Sequence, residues 1–383
     1  MRLWASIAGH TPALLCFGFV WYQGIAHSQI AAPKQSSKTL KLSTGKEIFQ
    51  AACIGCHGPD GKGQPQTTSG FEPPATFPDF TDCNATTRET DETWRSIIHL
   101  GGRARGFSEI MPSFTEALSG EQIDKVIGYL RGFCKEPSWP LGELNFPRAI
   151  VTEKAYPEDE VVLTTTLASN GSAQTNTLVY EKRLGVGNQI EVIAPISVER
   201  LSSGGRVAGI GDLTLGFKRL IASSRRTGSI FSLAGEVNLP TGNRARGLGT
   251  GTTVFETFAA FGQMLPRNSF VQTQVGAELP TNTARASQAV FWRTAVGSSV
   301  AKKNFGRLFT PMVEVIADRN LQRGAKTNWD VMPEVQVTLS KRQHIRANFG
   351  VQFPVTNTGG RSTQVAFYLL WDTFDGGLFD GWR

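Results

Sequence analysis

Cysteine and methionine are scarce in this chain, with five of each among 383 residues, whereas glycine reaches 41. That balance points to a turn-rich protein more than a helical one. Charge of one sign is also in short supply. The formal net charge of +7 is modest for the length, and no basic helix or aromatic-interleaved basic stretch is present, so no nucleic-acid partner is expected. With 40% hydrophobic and 19% charged residues, the chain is not a disordered polymer. After the first 28 residues no apolar run approaches the ~20 residues that a transmembrane helix requires.

What is present begins with a secretory pattern. Met1-Arg2 gives a positive start, the apolar stretch is densest over Ala13 to Tyr22, and Ala26-His27-Ser28 has the small-x-small form of a cleavage site. Residues 1–28 are therefore expected to be a signal peptide. Leu15 is too bulky for a lipoprotein cleavage before Cys16, so Cys16 is expected to leave with it. Cys53, Cys56, Cys83 and Cys134 then remain.

Cys53-Ile54-Gly55-Cys56-His57 is a C-x-x-C-H sequence, the pattern of c-type haem attachment. Two thiols at this spacing form thioethers to the haem vinyl groups, and His57 then lies under the iron. A redox dithiol needs no following histidine, and zinc needs a second ligand cluster. The surroundings fit a helical haem domain over residues 38–135. Thr44 to Glu47 is a capping box ahead of Ile48, Phe49, Ala51 and Ala52. Asp91 to Leu100 has a helical apolar face and a glycine stop at Gly101-Gly102. Ser119 to Gln122 is a second capping box, before Ile123, Val126, Ile127 and Leu130. For the sixth iron ligand, Met111 in a Met-Pro loop supplies a thioether. His99, beside the apolar face of its helix, competes with it.

With these motifs, residues 43–134 resemble class I monohaem cytochromes c. The resemblance implies electron carriage with one covalent haem c, held by Cys53, Cys56, His57 and Met111, with His57 and Met111 as the iron ligands. Cys83 and Cys134 are additional to the family pattern. In an oxidising compartment they are expected to pair as a disulfide.

Residues 136–159 form a proline-rich linker, with Pro137, Pro140, Pro147 and Pro157 favouring an extended strap. Beyond it, over 160–374, helical periodicity gives way to alternation. Val271, Thr273, Val275, Ala277 and Leu279 share one face, and Gln272, Gln274, Gly276 and Glu278 share the other. Similar alternation runs through Val331–Leu339, Ile345–Phe353 and Val365–Trp371. Tight links at Leu184–Gly187, Pro266–Asn268, Lys302–Phe305 and Ser340–Gln343 alternate with longer polar ones starting near residues 240, 280, 318 and 355. This spacing predicts an up-and-down array of about 12 strands. A sandwich or solenoid would alternate too. Neither explains why every second link is short, nor why the polar face carries Glu191, Glu236, Glu256, Glu278, Arg293, Glu314, Glu334 and Arg346. The expected fold is thus multidomain: an all-α haem domain followed by an antiparallel transmembrane β-barrel.

Gly211-Asp212-Leu213-Thr214-Leu215-Gly216, together with Leu239-Pro240-Thr241-Gly242, resembles barrels of the phenol-degradation transporter-like group. The order of the two parts resembles the fused cytochrome–porins of iron-oxidising bacteria, although this haem segment is longer and the barrel smaller. The chain also departs from the common aromatic barrel terminus, ending Phe379-Asp380-Gly381-Trp382-Arg383.

These resemblances imply an electron carrier of the outer membrane, not an enzyme, with the haem domain periplasmic or at the barrel mouth. The implied partners are periplasmic redox proteins, outer-membrane lipid and lipopolysaccharide, and an extracellular donor or acceptor such as ferrous iron. The other reading is a solute channel with a tethered cytochrome. A haem peroxidase would need an open iron position, which Met111 would fill.

Overall fold

The computed structural model describes residues 42–64, 77–136, 138–200, 205–301 and 308–382. The expected signal peptide with Cys16, residues 38–41 of the expected haem domain, Pro137 and the expected turn at Lys302–Phe305 lie outside them.

Five helices come first: α1 Gly45–Ala52, α2 Ile54–His57, α3 Cys83–Thr86, α4 Asp91–Leu100 and α5 Gly120–Arg131. Both expected capping boxes form. The Thr44 hydroxyl accepts from the Glu47 amide, and the Glu47 carboxylate accepts from the Thr44 amide at 2.9 Å. Ser119 and Gln122 repeat the arrangement at α5. Each such cap satisfies a helix-end donor, typically worth ~1 kcal/mol. α4 ends at Gly101, whose φ of 82° suits a residue without a Cβ.

α1 and α5 pack at close range. A Cβ on Gly45 would stand 2.0 Å from the Lys125 carbonyl oxygen, so only glycine permits the approach. Ile48, Phe49, Trp94, Ile123, Val126 and Leu130 fill the core between helices. Burying side chains of this size stabilises by roughly 1.5–3 kcal/mol each. Cys83 and Cys134 are joined in a disulfide that ties α3 to the end of α5.

Twelve strands follow: β1 Glu160–Ala168, β2 Ala173–Leu184, β3 Asn188–Arg200, β4 in two segments (Arg206–Ile210 and Leu213–Ser224), β5 Ser229–Leu239 and β6 Val254–Leu265. Then come β7 Ser269–Pro280, β8 in two segments (Ala289–Ser298 and Val300–Ala301), β9 Leu308–Asn320, β10 Asn328–Thr338, β11 Ile345–Pro354 and β12 Gln364–Asp372. Every neighbouring pair is antiparallel, and β12 pairs back to β1 from Glu160↔Asp372 to Ala168↔Gln364. The sheet closes on itself, so no edge is left unpaired.

The alternation read from sequence is the in–out alternation of this barrel. Leu163, Val275, Leu279, Val313, Phe367 and Leu369 are exposed on the outside, whereas Gln272, Gln274, Glu314, Gln336 and Asn348 are buried inside. An apolar exterior around a polar interior is the arrangement of a barrel that spans lipid. No described helix is long and apolar enough to cross a membrane, which says nothing of a barrel. At one rim the links are short (185–187, 225–228, 266–268, 339–344). At the other most are long (240–253, 281–288, 321–327, 355–363).

The break in β4 has a cause in the motif noted above. Asp212 turns its carboxylate to the Gly242 amide at 2.9 Å and the Thr250 amide at 2.7 Å, while the Thr241 hydroxyl accepts from the Leu213 amide at 2.9 Å. The Gly-Asp pair and the Leu-Pro-Thr-Gly word are thus two halves of one loop anchor.

Candidate functional site

α1 delivers Cys53 at its C-cap, and α2 carries Cys56 and His57 one turn on. Both cysteines are free thiols. Gly58, with a φ of 71°, ends α2 and turns the chain away from His57. The His57 ring stacks on Phe77 with centroids 5.1 Å apart and leans on Phe80 at the same distance. Burial pushes the imidazole down to about 4, so it is neutral at physiological pH, the form that ligates a metal. Burial also raises the Cys53 thiol to about 11.

Cys53, Cys56, His57 and Met111 all line one cavity of about 530 Å³, walled by Phe49, Phe80, Trp94 and Ile98 among others. Met111 reaches it from the loop after α4, where its carbonyl accepts from the Gly102 amide at 3.0 Å. His99 does not line this cavity. It faces a neighbouring space, and its carbonyl is held by Ser113 and Thr115.

The residues present fit a covalent haem. Two thiols and a neutral histidine sit at the attachment spacing, a thioether lines the same apolar cavity, and the buried Nδ1 of His57 has no hydrogen-bond partner among the described residues. Cys53 and Cys56 would hold the group, with His57 and Met111 toward its metal. When bound it supplies one-electron redox chemistry.

Sequence reasoning missed two further walls of the cavity. Phe374 and Asp375, the residues just beyond β12, line it together with the haem motif. Their presence follows from how the helical domain docks on the short-turn rim. Arg88 pairs with Asp159 and lies over the Phe374 ring, 4.4 Å from its centroid. Arg225, in the turn 225–228, pairs with Asp91. Arg342 Nε donates to the Gly106 carbonyl at 3.0 Å, and its guanidinium covers Phe107. The Gly142 amide donates to the Thr87 carbonyl at 2.7 Å, and a Cβ there would meet the Arg88 carbonyl at 1.9 Å. No local signal in the sequence marks these contacts, since they join residues up to 236 positions apart.

The proline-rich segment, expected as a linker, runs inside the barrel. Phe146 stacks on Phe270 at 5.4 Å, and Tyr156 is buried against the same wall. This strap has irregular backbone, whose polar groups need partners when buried. The lumen supplies them. Glu314 accepts from the Ile150, Val151 and Thr152 amides at 3.1, 3.0 and 2.6 Å. Gln272 donates to the Pro147 carbonyl, Tyr368 to that of Arg148 and Lys218 to that of Lys154. The polar face that the alternation predicted is real, and much of it solvates the strap.

Comparison with known proteins agrees with this division. Residues 42–133 match the cytochrome c family, and residues 152–367 match the family described as "Putative MetA-pathway of phenol degradation". The second match spans more than half of the chain. The chain belongs to that phenol-degradation family. This member carries a cytochrome c domain fused ahead of its barrel. Among solved structures, an outer membrane channel from Pseudomonas putida F1 is similar at 13% identity and a TM-score of 0.39, covering 59% of this chain and 99% of that one. The NanC porin is similar at 8% identity and 0.37, covering 55% and 97%, and the KdgM porin at 6% and 0.36, covering 55% and 98%. No curated protein matches the chain in sequence. The closed, even-stranded barrel with its apolar exterior makes this family member an outer-membrane protein.

Proposed function

We propose that this protein exchanges electrons at the outer membrane between periplasmic redox carriers and an outside donor or acceptor, ferrous iron being the donor that suits a single-electron carrier. One observation carries the reading. Phe374 and Asp375 of the barrel chain wall the same cavity as Cys53, Cys56, His57 and Met111, so the redox site belongs to the docked unit and not to a domain on a free tether. The strap supports it. A lumen whose inner side chains are engaged by residues 147–158 is a poor conduit for solutes, which a simple channel would require open. In this reading His57 and Met111 would hold the iron, and the group would supply electron transfer and not substrate chemistry.

Family membership favours a second reading, a solute channel, and one experiment separates the two. The full-length protein with haem is placed in vesicles holding a reduced dye, with a membrane-impermeant ferric chelate outside. Haem-dependent oxidation of the trapped dye is expected, abolished by Cys53→Ala with Cys56→Ala. Dye oxidation that is unchanged in the haem-free variant, or large single-channel conductance by the intact protein, would reject the electron route.

A further inference from the structure

The haem cavity and a second space of about 1490 Å³ at the barrel mouth meet at three residues: Glu89, Phe374 and Asp375. Glu89 lies between α3 and α4 of the cytochrome domain. Asp375 lies three residues beyond β12. The two carboxyls are within hydrogen-bonding reach of each other. Two carboxylates at that separation repel strongly, whereas a single shared proton makes one of them a donor to the other.

The surroundings act on this pair in both directions. Burial raises Glu89 above the usual carboxylate range, and burial together with Glu89 raises Asp375 well above it. Arg105 and Arg131 of the cytochrome domain oppose the rise at Glu89, and Asp372 of β12 adds to it. Arg346 of β11 and Arg105 oppose the rise at Asp375. Arg105 acts on Glu89, Asp375 and Glu92 together, and its Nη2 donates to the Thr93 hydroxyl at 3.3 Å. Arg342 donates to the Asp375 carbonyl at 3.4 Å and pairs with Asp380 at 3.3 Å, so its charge is shared. Both residues are half-buried and line the mouth cavity, which gives a proton a way in.

We propose that Glu89 and Asp375 form a proton-binding site linked to the haem. The pair takes up one proton when an electron arrives from the redox partner and releases it when the electron leaves. The balance is one electron and one proton in, one electron and one proton out, with the net charge around the cavity unchanged. The proposal rests on haem occupying the cavity, and it holds whichever way electrons travel. It adds a proton to the electron that the protein carries and places the barrel's own chain in control of the potential.

The test is redox potentiometry of the detergent-solubilised, full-length holoprotein from about pH 5 to about pH 9. The potential should fall as pH rises, with a limiting slope of ~59 mV per tenfold change in proton concentration. Glu89→Gln and Asp375→Asn should each flatten that slope while leaving the reduced haem spectrum in place. Redox-difference infrared spectra of the wild type should show a protonated carboxyl band growing on reduction, which needs no substitution to read. A pH-independent wild-type potential, an absent carboxyl band, or a slope that survives both substitutions overturns the proposal. In the last case the titrating groups lie elsewhere, the haem's own carboxylates included. No membrane crossing enters this measurement, so failure of the transmembrane electron route leaves it intact, and the reverse is also true.

Discussion

Arg148, on the strap, reaches across the lumen to Glu181 on β2, with Nη1 and Oε2 2.7 Å apart and both side chains buried. The same guanidinium meets Glu153 at 3.1 Å and Glu160 at 3.5 Å. A single cation is therefore shared by carboxylates from the strap and from two strands. It pins the segment between the cytochrome domain and β1 within the barrel, so the strap and the wall form one electrostatic unit.

Arg148→Ala should destabilise the protein by about 3–5 kcal/mol, because it removes the ion pair of the buried Glu181 carboxylate, whereas Glu160 and Glu153 keep Lys154 and Lys218. Thermal unfolding in detergent, followed by loss of β-sheet circular dichroism, reads the effect. A midpoint unchanged from wild type would mean that the strap leaves the lumen in solution.

Glu314 gives a functional version of the same test. Its carboxylate serves three strap amides; the Ile150 amide also reaches Glu334, so the Val151 and Thr152 amides lose their partner, and each buried amide left unpaired costs roughly 1–3 kcal/mol. Glu314→Ala should loosen the strap and raise ion conductance in planar bilayers well above that of wild type. Equal conductance in the two proteins would remove the strap from its role as a plug.

Iron ligation is tested by absorption. In holoprotein, Met111→Ala should abolish the thioether-to-iron band and lower the reduction potential, since a thioether ligand raises it. His99→Ala should change neither, because His99 faces away from the cavity that Met111 lines. A band that survives Met111→Ala and vanishes in His99→Ala would reverse the assignment.

Joining Cys83 to Cys134 closes a loop with a sequence separation of 51 residues. In the chain-entropy account such a link stabilises by about 4 kcal/mol. Cys83→Ser with Cys134→Ser should lower the unfolding midpoint of the cytochrome domain while Cys53 and Cys56 still carry haem. Two alkylatable thiols in the native wild type would show that the link is absent in solution.

Local signals made most of the two architectures legible. Thr44–Glu47 and Ser119–Gln122 announced their helices because capping is a short-range matter of four residues. The alternation at Val271–Leu279 announced its strand because the pleat repeats every two residues. Cys53, Cys56 and His57 were readable because covalent attachment fixes their spacing. What stayed hidden depends on distant contacts. Nothing near Pro147 says that Gln272 will bind its carbonyl, and nothing near Asp375 says that Glu89 will face it. The proline-rich segment read as a linker because extended backbone looks the same in solvent as in a lumen that offers it hydrogen bonds. The turn at 225–228 carries no such signal either, although its Arg225 makes one of the docking ion pairs.

Orientation is the remaining prediction. The cytochrome domain sits at the short-turn rim, through Arg225 with Asp91 and Arg342 with Gly106. Haem attachment to an outer-membrane protein would be periplasmic chemistry, so the long links should face outward. Those links carry Arg244, Arg246, Arg285 and Arg323, all exposed, with Arg319 at the end of β9, and the segments 240–253, 281–288, 321–327 and 355–363 contain no Asp or Glu. Links rich in guanidinium groups, with carboxylates confined to adjoining positions such as Asp318 and the Arg361-paired Asp330, suit the phosphates of lipopolysaccharide, which arginine binds bidentately. Single cysteines placed at Ala245 and Thr358 should react with impermeant maleimides on whole cells, and those at Arg226 and Arg267 should react only after the outer membrane is opened. Arg244→Gln, Arg246→Gln, Arg319→Gln and Arg323→Gln combined should lower the lipopolysaccharide that co-purifies with the protein, and more so at high salt, where screening weakens the remaining contacts. The reverse labelling pattern would invert the topology, and undiminished lipopolysaccharide in the fourfold variant would reduce the rim to ordinary solvated charge.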